Sequence, residues 1–572
     1  MFRQWGVRLA WSLLRVRWLI VLALLLSCKD PAHHVEVTPG PGADTAAVVD
    51  DGVLYNGIEL PSQWPPRRDY ASDIRCGMSP YYLKMKPDVI RVDVGRQLFV
   101  DDFLVRETTM RRRWHRPTYH AQNPVVKPDR EWEAKAGGGG FAAPFSDGVW
   151  FDEADGLFKM WYMAGDDATC YAESADGVTW VKPDLGDGTN VVRKGSLRDA
   201  STVWLDKQEA SAVRRYKMFE VAGGVGNWSY VFLTSADGKR WRDEGAGSKR
   251  VADRSTVFKN PFRNVWVWSM RHNVRLRRGD PYTIRARDYA ESANPDNGNR
   301  AAEASLRSFW FGSWPDELTH PDYDNDDGSP GIYNLDAMPY ESVMLGLFTV
   351  WQGPENDICA AEGVIKRNQV MVGYSRDGFS WHRGDMTPFL PVAGGAAAWN
   401  SGNVQSAVGS PIVVGDNLYF YVSGRRLSSR GIEETSTGLA TLRRDGFASM
   451  CAEGDGTLIT EPVTFDGSHL FVNALARRLV VEVLDRDGRL VDGFAAADCE
   501  ALVDVDSTRL EIRWCGGASI GKLAGREVRL RFHVADGDLY SFWLSPWPSG
   551  ESRGYTAGGG PGLSPTGVDV PM

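Results

Sequence analysis

Residues 171–180 read YAESADGVTW, and the same Ser-x-Asp-Gly-x-x-Trp phrase returns as FLTSADGKRW at 232–241 and as VGYSRDGFSW at 372–381. Asp-Gly between runs of alternating apolar residues is a strong hairpin signal, because glycine accepts the positive φ that a tight turn needs. A tryptophan at a fixed distance after each turn suits a large side chain that folds back over the hairpin. The phrase therefore predicts three similar β-hairpins, and a structural role is its simplest explanation.

The spacing of these turns indicates a repeat. Asp176 and Asp237 lie 61 residues apart, Asp237 and Asp377 lie 140 apart, and a degraded copy, LRRDGFASM at 442–450, is centred 68 residues after Asp377. The interval of 140 residues has room for one more unit, and RARDYAESANPDNGN at 285–299 lies where a degenerate copy of the motif is expected. A repeat of this length with several short strands is typical of a propeller blade. The sequence therefore predicts an all-β protein with a five-bladed β-propeller.

The pattern changes on both sides of the repeats. After them, dense alternation in HLFVNALARRLVVEVLD (469–485) and REVRLRFHV (526–534) predicts the strands of a β-sandwich. Before them, the chain is rich in Pro, Gly, Ala and Asp with little periodicity, which is typical of a flexible tether. The predicted division is a tether at 28–90, the propeller at 91–457, the sandwich at 458–548 and a loose C-terminal tail at 549–572.

The first residues have the composition of an export signal. Four arginines and no acidic residue accompany nine uninterrupted apolar residues from Trp18 to Leu26. A membrane-spanning helix needs about 20, so this segment is typical of a signal peptide. Its end, Leu-Leu-Ser-Cys28, resembles the lipobox of bacterial lipoproteins. That resemblance implies a lipoprotein signal peptide at 1–27 and an exported protein anchored to a membrane of the cell envelope through lipid on Cys28. The alternative is an ordinary cleaved signal followed by an incidental cysteine.

The charge and the cysteines restrict the partners. Removal of residues 1–27 would change the formal charge from −9 to −13, which argues against a nucleic-acid partner. No C-x-x-C motif or Cys/His cluster indicates a metal. The acidic stretch PDYDNDDG (321–328) resembles a calcium loop, but the sixth position, where glycine is expected, is Asp327. The sequence predicts no cofactor, and a structural calcium ion has no further support.

Repetition in a propeller builds a pocket, because the inner strand of each blade lines one central funnel. Three segments are expected to open inner strands: LRDASTVW (197–204), ADRSTVF (252–258) and LDAMPYES (335–342). Asp199 and Asp253 occupy the same place in the first two, and each precedes a threonine by three residues. Asp336 and Glu341 lie in the third. The sequence therefore predicts that acidic residues from different blades lie in one funnel.

These segments resemble the five-bladed propeller glycoside hydrolases of families 32 and 43, which use two Asp and one Glu from different blades. Arg198-Asp199 resembles the Arg-Asp motif of that clan. QLFVDDFLV (97–105) and QNPVVKPDREWE (122–133) are similar to bacterial family 32-like proteins. The Asn-Asp-Pro-Asn signature of family 32 is absent, with Asp101-Asp102 as a distant counterpart, and Glu341 replaces a Glu-Cys dipeptide by position only. The resemblance implies Glu341 as the acid, with Asp199 and Asp253 as base or nucleophile and as charge tuner, in an order left open.

Glycosidic cleavage explains why such residues are needed. One protonated carboxyl releases the leaving oxygen, and an ionised carboxyl acts as nucleophile or as base for water. Unlike environments keep the two pKa values apart. The candidates for substrate binding are Asp102, Trp132, Glu133, Arg198, Arg254, Arg271, Arg287 and Asp336. Six arginines in RHNVRLRRGDPYTIRAR (271–287) suit an anionic sugar or form an exposed basic strand.

The predicted function is an exported, lipid-anchored glycoside hydrolase that acts on an oligosaccharide or polysaccharide. The main alternative is a carbohydrate-binding propeller lipoprotein without catalysis, because a fold does not fix a function. A propeller that binds other proteins is a third possibility, but it has no need of inward-facing acids.

Overall fold

The computed structural model describes residues 52–66, 80–134, 139–165, 167–195, 197–224, 227–249, 251–274, 284–298, 309–311, 331–352, 361, 367–395, 397–428 and 431–572. The predicted signal peptide, Cys28 and the acidic stretch 321–328 lie outside these residues.

The described residues form strands joined by turns and a few short 3-10 helices. In chain order the strands are β1 (Ile90–Arg91), β2 (Gln97–Leu98), β3 (Val105–Thr108), β4 (Arg111–Trp114), β5 (Thr118–Tyr119), β6 (Gly140–Asp152), β7 (Leu157–Ala164), β8 (Ala168–Ser174), β9 (Val191–Lys194), β10 (Arg198–Leu205), β11 (Tyr216–Ala222), β12 (Ser229–Ser235), β13 (Arg242–Lys249), β14 (Thr256–Asn260), β15 (Val265–Val274), β16 (Ile284–Ser292), β17 (Phe309–Phe311), β18 (Gly331–Glu341), β19 (Val343–Gln352), β20 (Arg367–Ser375), β21 (Asn403–Ser406), β22 (Ile412–Val414), β23 (Asn417–Ser428), β24 (Gly431–Arg443), β25 (Ala448–Thr460), β26 (Val463–Thr464), β27 (His469–Asp485), β28 (Leu502–Ile512), β29 (Val528–Ser545) and β30 (Tyr555–Thr556). The 3-10 helices are Tyr81–Leu83, Glu131–Glu133, Ala212–Arg214, Pro295–Asn297, Cys515–Gly517 and Ile520–Leu523.

Five antiparallel units form the propeller. Blade 1 is β6–β9, blade 2 is β10–β13 and blade 3 is β14–β17. Blade 4 is β18–β20 with an outer edge bridged through His382 and Leu390. Blade 5 runs β21, β23, β24 and β5. The inner strands are β6, β10, β14, β18 and β21, and the contacts β6–β10, β10–β14, β14–β18 and β21–β6 follow the ring. The predicted fold class, all-β with a five-bladed β-propeller followed by a C-terminal β-sandwich, is confirmed.

The ring is closed by a strand that precedes blade 1. β5 pairs with β24, so that Tyr119 lies opposite Ala440 and Thr118 lies opposite Thr441. Asn123, just after β5, donates a hydrogen bond to the Leu439 carbonyl at 2.7 Å. The outer strand of the last blade therefore comes from the N-terminal side of the first.

The repeated phrase forms the same turn in each blade that carries it. In blade 1, the Asp176 carboxylate accepts hydrogen bonds from the backbone N–H groups of Val178 and Thr179, and the Ser174 hydroxyl accepts one from Gly177. Blades 2 and 4 repeat this set with Asp237 and Asp377. The side chains of the phrase thus satisfy the backbone of a tight turn.

Each turn also receives a hydrogen bond from the preceding blade. Tyr421 of blade 5 donates to the Gly177 carbonyl, Trp161 of blade 1 donates to the Gly238 carbonyl, and Asn260 of blade 3 donates to the Asp377 carbonyl. The phrase recurs because these turns join neighbouring blades.

Substitution of Gly238 by Ala should destabilise the propeller. Gly238 has φ of 73°, and an added Cβ would lie 2.4 Å from a ring carbon of Trp161. Positive φ and overpacking together should lower the free energy of unfolding by about 2–4 kcal/mol. Gly188 isolates the backbone part, because it has φ of 82° and an added Cβ there would meet no atom of the described residues within 4 Å. Gly188→Ala should therefore cost only about 1 kcal/mol. Equal effects in chemical denaturation would contradict the inter-blade role.

A second β domain follows the propeller and also takes strands from before it. β25–β29 and β1–β4 form one nine-stranded sheet in which β27 and β29 are 17 and 18 residues long. Leu479, Val481, Leu530 and Phe532 belong to its buried apolar core. The alternation in the sequence therefore marks the long central strands correctly, while the short strands at 90–114 were not expected there.

Both predicted flexible ends include ordered residues. Leu54, Ile58 and Tyr82 are buried in the core of the C-terminal sheet, so the described part of 28–90 is packed rather than a tether. The tail at 549–572 is not loose, because β30 pairs with the end of β18 and Val568 is buried. The buried residues of both segments contact other parts of the chain, and local sequence patterns do not report such packing.

Candidate functional site in the propeller funnel

Asp336 lies where three blades meet. Its Oδ2 accepts hydrogen bonds from Ser146 of blade 1, Ser406 of blade 5 and the Asn334 amide of its own strand β18. Its Oδ1 has no hydrogen-bond partner within the described ranges, although the residue is only 1% exposed. Burial raises the pKa of Asp336 to about 6. This carboxyl therefore holds a proton far more readily than an exposed one.

Asp199 is held by the neighbouring blade. Its Oδ1 accepts a hydrogen bond from the Arg254 backbone N–H at 2.8 Å, and the Arg254 Nε lies 3.1 Å away. Arg254 has φ of 60°, which turns its backbone toward Asp199. Burial acts to lower the pKa of Arg254, but Asp199, Tyr333 and Asp253 together outweigh it and the pKa rises. Asp199 therefore lies beside a permanent positive charge that favours its ionised form.

Asp253 forms a second acidic group with arginines of blade 3. It pairs with Arg271, and the Arg285 guanidinium lies 4.0 Å from it. The Arg285 guanidinium stacks over Tyr333 and Trp351, at 5.1 and 4.2 Å from the ring centroids. Arg254 lies 5.2 Å from the same Tyr333 ring. The predicted candidates Asp199, Asp253, Arg254 and Arg271 are thus brought into one cluster.

Two of the predicted arginines stabilise the residues around this cluster. Arg287 is buried and donates to the carbonyls of Arg254 and Tyr333 and to the Ser269 hydroxyl. Arg198 is buried in a two-pronged ion pair with Asp147, a residue that the sequence did not single out. Both guanidinium groups are occupied by protein atoms, so they position the site and are not available to bind substrate as predicted.

Three other candidates lie away from the funnel. Glu133 is buried in a network with Tyr162 and Lys182, and Trp132 donates to Asn190. This network attaches the 3-10 helix at Glu131–Glu133 to blade 1. Asp102 is 72% exposed and pairs with Arg112 near β4 of the C-terminal sheet. The contacts of these residues do not support the substrate-binding role predicted for them.

Glu341 is not part of the cluster. It ends β18, five residues beyond Asp336, which at about 3.3 Å per residue corresponds to about 16 Å along the strand. Its carboxylate accepts hydrogen bonds from the Arg96 backbone, Arg444 and Ser552. These partners belong to the junction between the propeller and the C-terminal sheet. The structure therefore does not bring Glu341 together with Asp199 and Asp253, because the acid stands at the other end of the inner strand.

Several funnel residues had no signal in the sequence. Ser146 follows Phe145 in a bulge of β6 where both residues have positive φ. Arg425 comes from β23, the second strand of blade 5, and its guanidinium lies 4.9 Å from the Phe145 ring centroid. Comparison of equivalent inner-strand positions cannot identify residues that lie in bulges or on second strands.

The chemistry available in the funnel is that of carboxyls, guanidinium groups and aromatic faces. One buried carboxyl has a raised pKa, two partly exposed carboxylates are held by arginine, and Tyr333 and Trp351 supply rings. In the described part of the chain, no group of three or more His, Cys, Asp or Glu residues is arranged to hold a metal ion. Among these same residues, no helix is long and apolar enough to cross a membrane.

Comparison with known proteins gives similarity in structure alone. No family model matches the chain, and no curated protein matches it. Solved structures with a similar fold include a thermostable family-43 glycoside hydrolase, with 11% identity, a TM-score of 0.35 and coverage of 55% of this chain and 95% of the other. A fructofuranosidase of Schwanniomyces occidentalis has 12% identity and a TM-score of 0.34, over 73% of this chain and 96% of that one.

Another similar structure has a different activity. It is an N-acetylgalactosamine deacetylase from F. plautii, with 10% identity, a TM-score of 0.32 and coverage of 56% of this chain and 97% of the other. The structure of this chain is therefore similar to propeller glycoside hydrolases of families 32 and 43. The TM-scores are low, so the activity has to be judged from the residues of this chain itself.

Proposed function

We propose that this chain is a glycoside hydrolase whose active site is the propeller funnel, with Asp336 as the proton donor and Asp199 as the base or nucleophile. The observation that carries the proposal is the state of Asp336. One of its oxygens is buried without a partner among the described residues, and its pKa is raised to about 6. A buried carboxyl that holds its proton near neutral pH is what release of a glycosidic oxygen requires.

The electrostatics of the funnel support two different roles for its carboxyls. Arg254 pairs with Asp199 at 3.1 Å, which favours an ionised carboxylate. Asp336 accepts only neutral donors, from two hydroxyls and one amide. Asp253, paired with Arg271, is the third carboxyl, and it tunes the charge of the site. The two carboxyls thus have unlike surroundings, as acid and base catalysis needs.

Carbohydrate binding without cleavage is the second candidate. It is favoured by the ion pairs of Asp199 and Asp253, because a carboxylate engaged by arginine is a weaker base. In that case Tyr333 and Trp351 would stack on a sugar ring, and no bond would be broken.

The deciding experiment is a screen of the purified protein against aryl glycosides and against plant and algal polysaccharides. Hydrolysis predicts release of reducing ends that increases with time and enzyme concentration. Retention of a polysaccharide in affinity electrophoresis without any release of sugar would instead establish the binding function.

The pH dependence should follow Asp336. The proton donor must be protonated, so kcat on natural glycosides should fall as the pH rises through about 6. The free energy of unfolding should also fall as the pH rises. The pKa of Asp336 is about 6 in the folded protein and about 4 in the unfolded chain, so the protonated carboxyl favours the folded state. This contribution is fully present below about pH 4 and is lost as the pH rises through about 6. Melting curves of wild type and Asp336→Asn between pH 4 and pH 8 measure this, and parallel curves would contradict it.

We also propose that the protein is exported and anchored through lipid on Cys28. The proposal rests on the apolar run that ends in Leu-Leu-Ser-Cys. Metabolic labelling with a fatty-acid analogue in a bacterial host should mark the wild type and not Cys28→Ser. Equal labelling of both proteins would contradict the anchor.

A further inference from the structure

Arg425 is a half-buried cation without an ion pair to any described residue. Its guanidinium lies over the Phe145 and Phe141 rings, at 4.9 and 5.6 Å from their centroids. Its Nε has no hydrogen-bond partner, and no carboxylate of the described residues lies within ion-pair distance of it. The next residue, Arg426, pairs with Glu433 and Glu434. Arg425 therefore differs from its own neighbour in lacking an acidic partner.

The surroundings of Arg425 add to its positive charge. Burial lowers the pKa of Arg425 to about 10, and the charge of Arg254 acts in the same direction, while Tyr333 and Asp199 act to raise it. Arg254 also lies 5.1 Å from the Phe145 ring centroid, so the same ring lies between two guanidinium groups. Across the cluster, Arg254, Arg271, Arg285 and Arg425 accompany only two partly exposed carboxylates, Asp199 and Asp253. The described part of the funnel thus has an excess of positive charge.

A half-buried charge with a buried, unpartnered Nε is costly to the folded state. Arginine presents a planar set of donors that matches carboxylate and sulfate oxygens, and it keeps its charge when buried. Aromatic faces below the guanidinium hold it in place without neutralising it. The Arg425 guanidinium therefore has the properties of a group that binds an anionic ligand.

We infer that the glycan bound in the funnel carries an acidic group, a carboxylate or a sulfate ester, that docks on Arg425 beside Phe145 and Arg254. The inference rests on the proposed function, because it takes the funnel as the glycan site and names the substrate class. It explains the arginine excess of the funnel, which neutral sugars alone would not need.

Binding to matched glycans tests the inference. The probes are an oligogalacturonide with its carboxyl-reduced form, and a sulfated galactan oligosaccharide with its desulfated form, each titrated by calorimetry against Asp336→Asn protein to prevent turnover. One acidic member should bind about 10- to 100-fold more tightly than its neutral partner. The pair that shows the preference identifies the group as carboxylate or sulfate.

Variants at neighbouring positions give the control. In the same background, Arg425→Met should abolish the preference and Arg425→Lys should keep part of it. Arg426→Met, one residue along the strand, should keep all of it. Arg425→Met should unfold at an unchanged or higher temperature, because methionine replaces a half-buried charge that has no acidic partner within ion-pair distance among the described residues. Independently of any variant, affinity for the acidic member should weaken with added salt, while that for the neutral member should not.

The outcomes separate this inference from the proposed hydrolysis. Equal binding within both pairs, or a preference that survives Arg425→Met, would overturn the inference even if neutral glycans are hydrolysed. An acidic preference that depends on Arg425, without hydrolysis of any glycan, would support it and overturn the catalytic proposal. Binding to neither pair would overturn the inference and would count against the funnel as a glycan site.

Discussion

Asp336→Asn should lower the rate of glycoside hydrolysis by about 10²- to 10⁴-fold, the usual contribution of a positioned general acid. The melting temperature should change little at about pH 4, because the asparagine oxygen can still accept the hydrogen bonds of Ser146 and Ser406. At neutral pH the variant should melt above wild type, because it lacks the buried Asp336 carboxylate. The measurements are kcat on a natural oligosaccharide and thermal unfolding followed by circular dichroism. Loss of activity without loss of fold would place Asp336 at the chemical step.

Leaving groups make this test specific for the acid role. An activated aryl glycoside needs little protonation of its leaving oxygen, so Asp336→Asn should retain much more activity on it than on the natural linkage. Asp199→Asn should lose activity on both substrates, because base or nucleophile is needed in each case. Asp102→Asn, at an exposed carboxylate of the C-terminal sheet, serves as the matched control and should behave as wild type. Wild-type kcat in Asp336→Asn would remove this residue from the mechanism.

Glu341→Gln should instead lower the stability of the protein. Glu341 is fully buried, and its Oε1 lies 3.1 Å from Arg444 and 3.6 Å from Arg96. Removing one partner of a buried ion pair typically costs about 3–5 kcal/mol. The lower end, about 3 kcal/mol, is expected here, because Asp445 still pairs with Arg96 and Asp569 with Arg444. Urea denaturation of the full chain measures this change.

The activity of Glu341→Gln decides between the two roles of this residue. If Glu341 only joins the two domains, the rate per folded molecule should equal that of wild type at a temperature well below unfolding. Wild-type stability together with a loss of hydrolysis by several orders of magnitude would return Glu341 to the catalytic role that its sequence position implied.

The fold could be predicted because its signals are local. Ser-x-Asp-Gly satisfies the backbone of its own turn, so the turn can be read without knowledge of the rest of the chain. The degraded copy at Asp445 was also informative. There the chain leaves the propeller for β25, and the Asp445 carboxylate accepts hydrogen bonds from Arg96, Tyr340 and Ser541 of the domain junction. The motif is degenerate here because Asp445 stabilises the domain junction.

The site was only partly predictable because it depends on tertiary contacts. Equivalent blade positions predicted that Asp199 and Asp253 lie near one funnel, because inner strands repeat around one axis, and in the structure each contacts an arginine at the start of blade 3 or within it. The choice between Asp336 and Glu341 could not be made from their spacing, because both lie on β18 and the sequence does not tell which end of that strand faces the cluster. Arg425 was missed because it belongs to a second strand, whose place is set by packing against Phe145.

The closure of the ring by β5 bears on how the protein can be made. The hydrogen bond from Asn123 to Leu439 spans 316 residues, so blade 5 cannot be completed until almost the whole propeller has left the ribosome. Contacts this distant in sequence slow folding and leave strand edges exposed to other chains meanwhile. Because β1–β4 also belong to the C-terminal sheet, a propeller excised at 91–457 would carry β2 without its partner β29 and would lose β26, the partner of β1. We therefore expect that the propeller cannot be produced alone in soluble form, and that its evolution by exchange of whole domains is restricted.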